Sequence, residues 1–214
     1  MLVAMVVIVI MKSPVHMKTT ILSLSLLLLL AKFAAFAAVD LGTATDHTPY
    51  DRYMTPVKEV LSSMHGEAAS MDKVQAAVRQ GRAFRYAHSE PYVPAMPQET
   101  AARHTGDCKD KALWLMDQIQ DPSARFVIGK MTRGAHMSHA WVMWQHDGQW
   151  WILDCTMLSR PIPAEKAGAN EYVPLYSYSR STAYRHSDKA GLTADVAGKT
   201  QSPVASTAKK LAAN

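Results

Sequence analysis

Apolar side chains recur at helical spacing in three stretches of the chain. Between residues 51 and 64, Tyr53, Val57, Val60, Leu61 and Met64 fall on one side. Between 69 and 80, Met71, Val74, Ala77 and Val78 repeat the pattern, and Gly81 is the expected stop. In the third stretch Cys108, Ala112, Met116 and Ile119 share a face, with Leu115 beside it and Pro122 closing the helix. Ser89 to Gln98, with Pro91, Pro94 and Pro97, is expected to be a loop that leads into this helix and walls a cleft.

Downstream the period shortens to two. Strands are expected over 125–131, 137–145 and 149–155, the last two joined at Asp147-Gly148, a strong hairpin signal. Phe84 to Tyr86 reads as a short strand or turn. Tyr172 to Tyr178 adds a further strand, whose Pro174 restricts it to a sheet edge. Helices followed by antiparallel strands make an α+β domain of about one unit.

The chain of 214 residues is 48% apolar, but much of that content lies before residue 38. Lys18, the run Ile21 to Leu30 and the site Ala35-Phe36-Ala37 make a basic start, an apolar core and a small-residue cleavage motif, as in a secretory signal peptide ending at residue 37. The core is shorter than the ~20 residues that span a bilayer, so a retained N-terminal anchor is the lesser alternative. Residues 1–16 carry their own apolar run and read as sequence upstream of a start at Met17. Residues 187–214, poor in large apolar side chains, read as a disordered tail, leaving 38–186 as the folded domain. Export also dilutes the charge. Without Lys12, Lys18 and Lys32, 20 basic residues face 18 acidic ones, and no basic stripe suggests nucleic acid. The expected location is the periplasm or the outside of the cell, with membrane contact only through the signal segment.

Cys108 stands at the first turn of its helix, where unpaired N–H groups and the helix dipole favour a thiolate. A two-residue turn at Asp147-Gly148 fixes the hairpin register: His139, Trp141, Asp154 and Thr156 share one face, with His139 diagonal to Asp154. The same register turns Cys155 to the other face with Ala140 and Val142. That opposes a disulfide, which two cysteines in an exported chain otherwise invite. His136 and His139 point to opposite faces of a strand, so their spacing does not suit zinc. His65, His88, His104, His146 and His186 read as solvated or packing residues. A thiol, an imidazole and a carboxylate in that order make a nucleophile–base–orienter set. The Cys108 N–H is one candidate oxyanion donor, and Tyr86, Tyr92 and Gln98 are candidates for a second.

The blocks Thr105-Gly106-Asp107-Cys108-Lys109-Asp110-Lys111-Ala112, His139-Ala140-Trp141-Val142 and Trp150-Trp151-Ile152-Leu153-Asp154 resemble the transglutaminase-like superfamily, including its bacterial cysteine peptidases. The likeness runs from about Asp72 to Thr156. It implies a papain-like α+β core, N-terminal helices with the cysteine helix packed on an antiparallel sheet, and Cys108, His139 and Asp154 as nucleophile, base and third member. Where many relatives have Asp-Pro-Thr, this chain has Asp154-Cys155-Thr156. The implied activity is hydrolysis of a peptide or protein amide through a thioester. Acyl transfer to an amine and a catalytically silent binding module are the alternatives. No cofactor is called; some relatives require calcium, but the sequence offers no evident ligand set for it.

Overall fold

The computed structural model describes residues 38–168, 170–187 and 193–194. The signal segment, the Met17 start and nearly all of the expected tail lie outside the described residues. Within them, no helix is long and apolar enough to cross a membrane.

The fold is α+β, with the cysteine helix packed on an antiparallel sheet. Among the described residues the α-helices are α1 (Thr55–Ser63), α2 (Met71–Ala83), α3 (Pro97–Arg103) and α4 (Cys108–Ile119). The main sheet uses β1 (Thr43–Thr45), β4 (Arg125–Thr132), β5 (His139–His146), β6 (Gln149–Leu153), β7 (Ile162–Pro163), β8 (Glu171–Tyr178) and β9 (Ala183–Arg185). Its order is β1-β9-β8-β4-β5-β6-β7, every pairing antiparallel. Two short parallel strands, β2 (Arg85–Tyr86) and β3 (Thr105–Gly106), lie just before the cysteine helix.

Helix α4 is the centre of the domain. It is buried almost all round, Leu113, Leu115, Met116 and Ile119 having no solvent exposure, and each such side chain stabilises by roughly 1.5–3 kcal/mol. Sheet alternation splits the core in two. Phe126, Ile128, Ala140, Val142, Trp144 and Leu153 pack under the helices, while Val127, Trp141, Met143 and Ile152 form a second cluster on the other face.

Three elements differ from expectation. Helix α2 runs through Gly81 instead of stopping there; a Cβ at that position would lie 2.7 Å from Trp114 and 2.9 Å from Cys155. The glycine serves close packing within the helix. Pro97 does not prolong the loop but opens α3, the first helical turn being where a missing N–H costs nothing. Strand β8 is internal, not an edge. It accommodates Pro174 because β9 pairs only with Tyr176 to Tyr178, and the β4 register shifts at Ile128/Gly129 opposite the proline.

Candidate active site

The first turn of α4 is held by its own polar residues. Asp107 caps the helix, accepting from the Lys109 and Asp110 N–H groups, while Asp110 returns a bond to the Asp107 N–H in a reciprocal box. These groups also fasten the preceding loop. Ala95 N–H donates to Asp110 Oδ1 at 2.8 Å, and Lys109 Nζ donates to Ser89 O and Oγ, each at 3.0 Å, and to Asp107. The buried Lys111 Nζ donates to Phe84 O at 3.2 Å. The Asp107-Cys108-Lys109-Asp110-Lys111 run is therefore an internal clamp that fixes where Cys108 sits.

The hairpin register follows the two-residue turn: Val142 faces Leu153, Met143 faces Ile152 and His146 faces Gln149. Pairing stops at Leu153, and Asp154 turns the chain by accepting Thr156 and Met157 N–H at 2.9 and 3.2 Å through Oδ1. Its Oδ2 lies 2.8 Å from His139 Nε2. The Cys108 thiol lies close enough to His139 to raise its basicity. With Nε2 on Asp154, the ring nitrogen left for the thiol is Nδ1. The three side chains singled out in the sequence are thus brought together, and all are nearly buried.

Burial by itself lowers the basicity of the His139 ring, but its hydrogen bond to Asp154 and the neighbouring Cys108 outweigh it and raise the pKa to about 9. The imidazolium is favoured at neutral pH. Trp141 stacks on the ring, with centroids 6.0 Å apart and planes 22° from parallel. Beside His139 a cleft of about 300 Å³ is lined by Tyr86, His139, Thr156 and Met157. A roomier hollow of about 600 Å³, between Thr45, Lys58 and Arg180, contains neither a thiol nor an imidazole.

The two cysteines are free. They are kept apart differently from the expected opposition of faces. Cys108, Cys155, Ala140 and Val142 all belong to the cluster on the helix side of the sheet. Cys108 meets His139 at the first residue of β5, while the Cys155 thiol donates to Lys111 O at 3.4 Å. Lys111 is three residues further along α4, about 4.5 Å along its axis. Depth along the helix separates the thiols.

Of the oxyanion candidates, Tyr86 borders the cleft with its side chain half exposed. The Tyr92 hydroxyl is buried without a partner among the described residues, and Gln98 is exposed on α3. Among the described residues no three His, Cys, Asp or Glu side chains converge as metal ligands would. Sequence patterning gave no sign of Tyr172, whose hydroxyl donates to Asp154 Oδ2 at 3.0 Å. It is distant in the chain and lies in a strand with no recognised motif.

Among solved structures, Legionella pneumophila LapG matches over 65% of this chain and 81% of its own, at 14% identity and a TM-score of 0.45. The chain is similar in fold to LapG. Its calcium-bound form matches at 14% identity over the same shares, with a TM-score of 0.46. A Cytophaga hutchinsonii structure described as a candidate cysteine protease matches over 56% of this chain and 43% of its own, at 16% identity and a TM-score of 0.34. No family model matches the sequence, and no curated protein does. Likenesses this weak carry no argument, so the chemistry rests on the site itself.

Proposed function

We propose that this chain is an exported thiol hydrolase that cleaves an amide in a peptide or protein through a thioester. The observation that carries the reading is the 2.8 Å bond from His139 Nε2 to Asp154 Oδ2, with Cys108 close enough to the same ring to raise its basicity. The His139 ring holds the thiol proton as the imidazolium, the sulfur adds to the amide carbon, and the carbonyl electrons move to oxygen. Collapse of that tetrahedral adduct breaks the C–N bond, and the imidazolium returns its proton to the leaving amine. Water, deprotonated by the same ring, then cleaves the thioester and restores the thiol. Asp154 holds the tautomer and stabilises the imidazolium. The Cys108 N–H and the Tyr86 hydroxyl are the donors proposed for the oxyanion; Tyr86 is preferred over Tyr92 and Gln98 because it faces the cleft.

Acyl transfer uses the same thioester, with an amine in place of water. Incubating the chain with a glutamine-containing protein and a labelled amine separates the two. New termini without label support hydrolysis; incorporated label replaces it with transfer. Periplasmic or extracellular residence belongs to the same proposal and is tested by fractionating cells that express the full chain.

A further inference from the structure

Tyr172 occupies an unusual position beside the triad. It is buried at 4% exposure and has a φ of +47°, a left-handed conformation that bulky residues rarely adopt. Two features fit it in place. Its ring stands edge-on to Trp141, with centroids 5.4 Å apart, and Trp141 is the ring that stacks on His139. Beneath Trp141, Gly129 leaves the space that a side chain would fill, a Cβ there lying 2.6 Å from the indole and 2.2 Å from Val173 O.

The Tyr172 hydroxyl and His139 Nε2 both bond to one oxygen, Asp154 Oδ2, at 3.0 and 2.8 Å. The other oxygen is already fixed by two backbone N–H groups. The carboxylate is therefore oriented without Tyr172, and what the hydroxyl adds is a second donor on the oxygen that faces the ring. A neutral donor sharing that oxygen takes part of the charge that would otherwise stabilise the imidazolium. Other groups also bear on this site. Cys108 acts on His139, Lys111 and Cys155 act on Asp154 from the helix side, Glu171 acts on Tyr172, and Tyr86 lines the cleft beside the imidazole. Of these, only Tyr172 joins His139 on Oδ2.

We propose that Tyr172 is a positioning residue acting through Asp154: by sharing Oδ2 it keeps the His139 imidazolium labile enough to hand its proton to a leaving amine. The inference deepens the thiol-hydrolase reading and rests on it for its meaning. The test uses the full chain, with His139 titrated by nitrogen NMR of the ring and Cys108 alkylated by iodoacetamide across pH. Tyr172→Phe removes only the hydroxyl and is expected to raise the His139 midpoint by about half to one pH unit. Asp154→Asn is expected to lower it. Site-specific 3-fluorotyrosine at position 172, a stronger donor that keeps the ring, moves the midpoint down and serves if the Phe variant fails to fold. A midpoint unchanged or lowered by Tyr172→Phe, or unchanged by the fluorinated ring, overturns the proposal. If wild-type Cys108 is not alkylated at neutral pH, the hydrolase reading falls, while the His139 titration still decides for or against Tyr172.

Discussion

Cys108 and Cys155 lie against the same helix and are both nearly buried, at 8% and 2% exposure, yet their surroundings suit opposite chemistry. Cys108 begins α4, lies close to an imidazole and borders a cleft through that partner. Cys155 sits a turn deeper, against Lys111 O and close to Gly81, where burial pushes its thiol pKa up to about 12. A thiolate needs a compensating cation and access; one site supplies them and the other supplies packing. The residue after Asp154 is a core side chain that happens to carry sulfur.

The largest break in this comparison is to delete either sulfur. Cys108→Ala is expected to abolish iodoacetamide labelling at neutral pH, read by mass spectrometry of the digested chain. Cys155→Ala is expected to keep it at the wild-type rate. Labelling that follows Cys155 instead would invert the assignment of the two sites.

Next in size is the support behind the imidazole. Asp154→Asn preserves shape but favours the wrong ring tautomer, and turnover is expected to fall by roughly 10²–10⁴-fold, as in other triads. Circular dichroism should show the fold unchanged. A variant that turned over at full rate would take Asp154 out of the mechanism.

The raised His139 pKa also makes a stability prediction. A group more basic in the folded state than at its ordinary value of 6.5 stabilises the fold fully below that value, and the contribution is lost as pH rises through about 9. Denaturant unfolding of the wild type should therefore weaken between pH 6.5 and 9 by on the order of a few kcal/mol. His139→Gln should flatten that slope. An identical slope in both would assign the dependence to other groups.

The hairpin and the site at its end were legible because they depend on local rules. Asp147-Gly148 set a two-residue turn, the turn set the register, and the register placed His139 near Asp154. The amphipathic helices were legible for the same reason. What escaped depended on contacts distant in sequence. Gly81 looked like a helix stop because Trp114 and Cys155, which demand its missing Cβ, come from other elements. Pro174 looked like an edge marker because the shift in β4 that accommodates it leaves no local trace. The roles of Lys109 and Lys111 had no local trace because their acceptors, Ser89 O and Phe84 O, precede the helix by many residues. Tyr172 had no spacing to announce it.

The smallest expected effect sharpens the comparison from the Cys155 side alone. Gly81→Ala brings a methyl group within 2.9 Å of both the Cys155 Cβ and Sγ, and within 2.7 Å of Trp114. Alanine improves helix propensity by about 1 kcal/mol, whereas overpacking costs about 1–3 kcal/mol. Since two of the three contacts are to a rigid indole and to a Cβ, neither of which can swing aside, overpacking should win by roughly 1 kcal/mol. Thermal unfolding measures that loss. The alkylation rate of Cys108 should stay within about twofold, because no atom of Cys108, His139 or Asp154 is among the three nearest to the added methyl. A large fall in that rate would mean that packing at Cys155 and geometry at Cys108 are mechanically coupled through α4. The two thiols would then form one site, not a reactive end and an inert core.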